Sequence, residues 1–209
     1  MEILHFDELE STQLWLIDKI KSKAYQAPIL VTTQKQTQGI GSRGNTWQSV
    51  KEGLYFSFAL DLKSLPQDLP SQSLSIYYGF LLKIILAEKG SKVWLKWPND
   101  FYLGDCKIGG IISTKIQETI IVGIGLNLVS ENNLKALDIG IDKEMLLKEL
   151  IKKINYYSWK QIFSQYKLEF SFNLKQKFHY QGQLMELEKA ILCDDGSILI
   201  EGKRFYSLR

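Results

Sequence analysis

Between Thr119 and Leu128 the chain alternates strictly. Ile120, Val122, Ile124, Leu126 and Leu128 fall on one side, and Thr119, Ile121, Gly123, Gly125 and Asn127 on the other. Successive side chains of a strand point to opposite faces, so this segment predicts a strand with one apolar face. Its other face is kept bare by two glycines and an amide, which leaves space for a ligand. Shorter strand-like runs lie at 3–6, 29–33, 54–60 and 93–97. Behind Ser11 and Thr12, Leu14, Leu16, Ile17 and Ile20 recur at helical spacing, and either hydroxyl suits the N-cap. A longer helix is predicted from Ser71 to about Lys89, stopped by Gly90, with two more over 143–157 and 159–170. After Ser171 the texture changes to short strands around an Asp194-Asp195-Gly196 turn, which divides the chain into 1–170 and 171–209. The second piece is too short for a core of its own and is expected to pack on the first.

Lys96 to Gly110 reads Lys-Trp-Pro-Asn-Asp-Phe-Tyr-Leu-Gly-Asp-Cys-Lys-Ile-Gly-Gly. Gly104-Asp105 between strand-like runs is a two-residue hairpin signal. That turn sets Leu103 opposite Cys106, Tyr102 opposite Lys107 and Phe101 opposite Ile108. Asp100, Tyr102 and Lys107 then share one face, with Asp100 diagonal to Lys107 and within reach of a long side chain. A cation and a carboxylate displayed together suit the binding of a magnesium nucleotide. The same pair also fits a weak surface salt bridge. Val93, Leu95 and Trp97 form a row that reads as buried.

Gly39-Ile40-Gly41-Ser42-Arg43-Gly44 formally satisfies the dinucleotide pattern Gly-x-Gly-x-x-Gly. That pattern needs an apolar helix directly behind it, whereas Asn45 to Gly53 reads as a loop. The glycines instead suit a loop that lays backbone N–H groups against a carboxylate or phosphate.

Composition narrows the classes. With 209 residues, 45% hydrophobic and 23% charged, the chain suits one main domain with a small appendage, and a net charge of +3 is too small to argue for nucleic acid. Two distant cysteines, Cys106 and Cys193, have no metal-ligand spacing and fit a reducing compartment. The N-terminus shows no signal segment, and the longest apolar stretch, near Tyr77 to Leu86, is broken by Lys83 and too short to span a bilayer. These features predict a cytoplasmic protein with no membrane partner.

The Lys96–Gly110 stretch resembles the signature of biotin–protein ligases, in which Lys-Trp-Pro-Asn-Asp precedes a lysine and a short aliphatic–glycine run, here Lys107-Ile108-Gly109-Gly110-Ile111-Ile112. The likeness extends in order over 11–127. Ser11-Thr12 matches an early Ser-Thr pair, Gln36 and the glycine loop through Trp47 match a ligand loop, and Gly123-Ile124-Gly125-Leu126-Asn127 matches a later strand. Gly53-Leu54-Tyr55-Phe56-Ser57 falls between them, and Ser207-Leu208-Arg209 resembles the family's ending.

The resemblance implies an α+β fold, a mixed sheet flanked by helices of the class II synthetase-like kind shared by biotin and lipoate ligases, with a small SH3-like C-terminal β domain. It implies ATP and biotin as substrates with Mg2+. Biotin is activated to biotinyl-5′-AMP and then passed to a lysine of a biotin carboxyl carrier protein of a biotin-dependent carboxylase such as acetyl-CoA carboxylase. Lys107 takes the catalytic role between the biotin carboxylate and the α-phosphate. Asp100 orients the incoming amine or helps to place magnesium, which is held mainly through phosphates. Ser11, Thr12, Gln36, Gly39, Gly41 and Gly109 join Lys107 around biotin. Arg43, Trp47, Lys96, Asn99, Asn127 and Arg209 are assigned to the nucleotide, with Lys96 either holding a phosphate or supporting its strand. The family's loop carries three arginines where this chain has Ile40, Ser42 and Asn45, which implies weaker retention of the adenylate.

A lipoate–protein ligase shares the fold and the adenylate chemistry. The intact Lys-Trp-Pro-Asn-Asp motif and Ser11-Thr12 favour biotin. A biotin-sensing repressor needs a DNA-binding segment, and the ten residues before Ser11 are too few for a helix-turn-helix, so no DNA partner is expected. The chain is expected to be a monomer or a weak homodimer.

Overall fold

A computed structural model describes residues 1–207, with Arg43 represented by its backbone alone. Strand β1 (Glu2–Leu9) leads into helix α1 (Thr12–Lys21), then β2 (Ile29–Gln36), β3 (Gly53–Asp61) and α2 (Leu74–Glu88). Strands β4 (Trp94–Lys96), β5 (Asp100–Leu103), β6 (Cys106–Ile116) and β7 (Thr119–Asn127) follow, then helices α3 (Lys143–Lys153) and α4 (Trp159–Glu169). The C-terminal region is strand-rich, with β8 (Lys177–Tyr180), β9 (Gln183–Glu186), β10 (Ile191–Leu192), β11 (Ile198–Ile200) and β12 (Lys203–Phe205).

Seven strands form one mixed sheet in the order β1-β2-β3-β7-β6-β5-β4. Strands β1 and β2 run parallel, and the neighbours from β2 to β4 are antiparallel. One face of the sheet packs on α2, whose sequence is apolar all round because α3 and α4 cover its far side. Ile120, Val122, Ile124 and Leu126 join this core, as their alternation predicts. Gly79 lets β4 come close, since a Cβ there would lie 2.9 Å from Leu95 Cδ1. The opposite face is covered only in part. Helix α1 packs its Leu16 on Ile29, Val31, Ala59 and Ile121, reaches over Gly123 with Gln13 of its first turn, and leaves Gly125 to Trp47.

The C-terminal strands are joined to the main core rather than set apart. Leu187, Ala190, Ile198 and Phe205 belong to the same apolar cluster as α2. Trp97, fully buried, donates its indole N–H to the Gly196 carbonyl at 2.9 Å and its backbone N–H to Asn173 Oδ1 at 2.6 Å. Its ring meets Phe178 edge-on at 5.1 Å, and Phe178 meets Phe205 at 5.5 Å.

Two expectations are corrected. The long helix starts at Leu74, behind a 3-10 turn over Ser71–Ser73, because the Ser73 hydroxyl is committed to the Asp195 carbonyl at 2.5 Å and caps nothing. In the hairpin, Tyr102 pairs with Lys107 and Leu103 with Cys106, but Phe101 pairs with Gly109 and not Ile108. A bulge absorbs Ile108. The cause is steric: beside Phe101 a Cβ would lie 2.7 Å from the Gly125 carbonyl, so a glycine must occupy that place. The bulge shifts the alternation, burying Ile108 while Lys107 comes to the same side as Gly110.

Candidate active site

Where α1 stops covering the sheet, a cleft of about 430 Å³ opens over the bare strands. Its floor is a product of register: Ser57, Gly123 and Ile112 form one cross-strand row, and Tyr55, Gly125 and Gly110 the next. The loop residues Ile40, Gly41 and Ser42 form a rim. That loop is a tight turn closed by an Ile40–Thr46 bridge and by the Gly41 N–H on the Asn45 carbonyl at 2.7 Å, with no helix behind it, so the dinucleotide pattern lacks its context. Trp47 returns from the loop onto the floor, where a Cβ on Gly125 would lie 2.9 Å from its ring.

One end of the cleft is neutral. Ser11 caps α1, accepting the Leu14 N–H at 3.4 Å, and also lines the cleft, so both readings of this residue hold. Gln36, the last residue of β2, accepts from the Thr12 backbone N–H at 2.8 Å and from the Thr12 hydroxyl at 3.2 Å. The Thr12 and Ser57 hydroxyls meet at 2.9 Å. Gln13, absent from the sequence-based assignments, is only 2% exposed and lines the same end.

The other end is charged. Lys107 Nζ lies 2.6 Å from Asp100 Oδ1 and 5.9 Å from the Trp47 ring centre. The diagonal relation expected between strands β5 and β6 is therefore an ion pair, with the lysine side chain 46% exposed and able to exchange partners. Beyond it a recess of about 1220 Å³, open to solvent, is walled by Lys96, Ser42, Asn45, Asn99 and the C-terminal residues Lys175, Lys177 and His179. Lys96 is buried, donates to the Tyr102 hydroxyl at 3.1 Å and lies 4.8 Å from that ring's centre. Burial lowers its pKa from the usual lysine range, Asp100 opposes that shift and Lys107 adds to it. Burial, helped by Asp100 and Cys106, pushes the Tyr102 phenol up to about 12, so it stays neutral beside these cations.

The structure thus gathers Ser11, Thr12, Gln36, Gly41, Trp47, Asn99, Asp100 and Lys107 around one cleft, with Lys96 in the adjoining recess. It separates others. Gly110, not Gly109, lines the cleft, because the bulge turns Gly109 against Gly125 and Leu126. Gly39 braces the loop, packing on Gln36 and Trp47. Asn127 is buried away from the cleft and donates to the Lys135 carbonyl at 3.1 Å, tying down the segment after β7. Asn99 donates its amide to the Ile111 carbonyl at 2.9 Å. Arg43 falls in the short turn Ser42–Gly44, and Arg209 lies outside the described residues. Sequence reasoning missed Gln13, Ser57 and the lysines of the C-terminal segment. Among the described residues, no cluster of three His, Cys, Asp or Glu side chains is placed to hold a metal, both cysteines are free, and no helix is long and apolar enough to cross a membrane.

Known proteins resemble both the sequence and the shape. The profile of the biotin/lipoate A/B protein ligase family matches residues 6–128. The bifunctional ligase/repressor BirA of Salmonella typhimurium is 30% identical over 164 residues, which cover 70% of this chain and 50% of that protein. Biotin–protein ligase 2 of Arabidopsis thaliana is 28% identical, over 75% and 51% of the two chains. The chain spans about half the length of these curated relatives. Among solved structures, the biotin acetyl coenzyme A carboxylase synthetase of Helicobacter pylori, crystallised with bound biotinylated ATP, is 44% identical over 98% of this chain and 99% of that one, with a TM-score of 0.96. The Aquifex aeolicus biotin protein ligase shares the fold at 23% identity and a TM-score of 0.71. The matched segment holds the Ser11-Thr12 pair, the glycine loop and the Lys107–Asp100 hairpin, and the chain belongs to the biotin/lipoate A/B protein ligase family.

Proposed function

We propose that this chain is a biotin–protein ligase that activates biotin with ATP and delivers the biotinyl group to a lysine of a biotin carboxyl carrier protein, as in acetyl-CoA carboxylase. The carrying observation is the polarity of the cleft, which has a buried neutral end matched to a cyclic urea and an exposed lysine end matched to a carboxylate and phosphates. The near full-length likeness to the H. pylori synthetase supports the same reading.

In the first step a biotin carboxylate oxygen attacks the α-phosphorus of ATP, the P–O bond to the β-phosphate breaks and pyrophosphate leaves. Two anions must meet, so the developing charge requires a cation aimed at it. Lys107 fills that role by leaving Asp100 for the reacting oxygens. Ser11, Thr12 and Gln36 hold the ureido ring, and Lys96 faces the phosphates. In the second step the carrier amine attacks the acyl carbon, the C–O bond to the phosphate breaks, AMP leaves and the amine's proton passes to solvent. Asp100, freed as Lys107 turns to the nucleotide, orients that amine. Asp100, the one acidic side chain lining the cleft among the described residues, would be the protein's contact to magnesium, which phosphate oxygens would otherwise hold. Arg43 and Arg209 are further candidates for nucleotide contact on the sequence resemblance alone. We place the protein in the cytoplasm, where two free cysteines stay reduced, as a monomer or weak homodimer.

ATP–pyrophosphate exchange with magnesium, offering biotin, lipoate or octanoate, tests this reading. Exchange with biotin alone is expected. Exchange with lipoate in its place would transfer the assignment to lipoate ligation.

A further inference from the structure

Along the outer edge of the sheet a second concavity, a trough of about 1230 Å³ open to solvent, runs between α2, β4 and the 3-10 turn Phe170–Lys175. Ala87, Val93 and Trp94 form its apolar floor, and Phe172 stands over them with its ring 5.8 Å from that of Trp94. Phe172 is 54% exposed, and Leu168, four residues earlier at the end of α4, is 83% exposed. Single exposed apolar side chains are ordinary, but aromatic and aliphatic groups gathered inside a polar rim mark an interaction surface. The rim has a sign. Lys83 is paired with Glu169, and Asp105 accepts from Gln176 at 3.2 Å. Lys92 and Lys175 are exposed and stand in no ion pair among the described residues, although Asp138 lies near Lys92. The uncommitted charge is therefore positive, and it suits a partner with acidic side chains.

The trough is tied to the reactive hairpin. Trp94 donates its indole N–H at 2.9 Å to the carbonyl of Gly104, in the turn between β5 and β6. Lys175 and Gln176 line both the trough and the recess beside Lys107 and Asp100, so the two concavities share a wall. Asp100 and Gly104 stand four residues apart on the hairpin, about 13 Å at the rise of a strand. A specific interface covers about 800 Å² of each partner, a patch roughly 30 Å across. A folded domain that brings a lysine to Asp100 is wide enough to lie over the trough as well.

Resting on the ligase reading above, we propose that this trough is a docking surface for the carrier domain. The domain sets an apolar side chain against Trp94 and Phe172, and acidic side chains against Lys92 and Lys175. Phe172 and Lys92 line the trough and neither the cleft nor the recess. Their contribution therefore falls on the affinity for the carrier and leaves the activation of biotin untouched.

Steady-state biotinylation of an isolated biotin carboxyl carrier domain, compared with hydroxylamine as a small acceptor, tests the assignment. The nitrogen of hydroxylamine attacks the same acyl carbon, the C–O bond to the phosphate breaks, AMP leaves and a proton passes to solvent. Phe172→Ser is expected to raise the carrier KM about tenfold, the scale of one interface aromatic, with pyrophosphate exchange and hydroxylamine capture unchanged. Lys92→Glu is expected to raise it about three- to tenfold at low salt, and the gap from the wild-type chain should narrow as ionic strength rises. Circular dichroism checks both folds, and Lys92→Glu reads the surface independently if Phe172→Ser does not fold. Unchanged carrier KM in the folded variants overturns the inference and leaves the ligase reading standing. An equal loss with hydroxylamine also overturns it, by assigning these residues to support of the hairpin. So does a concentration-dependent dimer of the wild-type chain that Phe172→Ser abolishes at unchanged carrier KM, since a second copy then fills the trough. A wild-type chain without biotin-dependent exchange defeats the ligase reading and this inference with it.

Discussion

At the Ser11 end of the cleft, Thr12, Gln36 and Ser57 hold one another through hydrogen bonds before any ligand arrives. At the Lys107 end the ammonium sits half exposed against the Asp100 carboxylate. The first arrangement is neutral and internally bonded, and on the proposed reading it is the end that selects, because a wrong ligand leaves buried polar atoms unmet. The second is exposed and charged, and on the proposed reading it is the end that reacts, because its cations can follow the charge as it develops. Selection and chemistry thus occupy the two ends of one groove, joined by a floor of glycines.

Mutations at the two ends should separate these roles. Lys107→Ala is expected to lower pyrophosphate exchange by about 10²–10³-fold, the usual scale for one electrostatic donor, with a much smaller change in calorimetric biotin affinity. Equal losses in both would erase the division. Thr12→Val removes the hydroxyl that links Gln36 to Ser57 and is expected to weaken biotin binding about ten- to a hundredfold. A fall in turnover at unchanged affinity would assign Thr12 to chemistry instead. Lys96 adds a pH test. Its ammonium pKa is lowered, first by burial, so its charge is lost on alkalinisation sooner than that of an ordinary lysine. Nucleotide affinity should accordingly decline as pH rises toward that range. Lys96→Arg, which stays protonated, should flatten the profile. The smallest effect belongs to the loop. Ile40→Arg combined with Ser42→Arg is expected to reduce biotinylation of bystander lysines about two- to fivefold, as one or two exposed charges retain the adenylate better. Unchanged bystander labelling would detach the loop from retention.

Much of the chemistry was legible because it lies in local pattern. The alternation around Gly123 and Gly125 announced a bare face, and Gly104-Asp105 announced the turn that brings Lys107 to Asp100. The bulge at Ile108 was not legible, since it follows from the approach of Gly109 to a carbonyl on β7, a contact between strands. The same displacement exchanged Gly109 for Gly110 in the cleft wall. Gln13 carried no sequence signal, because its partners Thr114 and Ile121 lie about a hundred residues away. Lys175, Lys177 and His179 were hidden for a related reason: only the packing of the C-terminal segment brings them to the recess beside the cleft. Asn127 lay in a matched motif, yet its amide serves the adjoining loop.

The bonds from Trp97 to Asn173 and Gly196 have a consequence for anyone wishing to shorten or split this protein. Trp97 follows Lys96 and stands three residues before Asp100, so the C-terminal region clamps the link between β4 and β5, the strand that carries Asp100 of the ion pair. A cut after α4 would remove more than a dispensable appendage. It would expose an indole and leave a backbone donor unpaired beside the motif, loosening the lysine and carboxylate whose spacing the reaction needs. A permutation or split that keeps both fragments docked through Trp97 is the form of trimming this architecture tolerates.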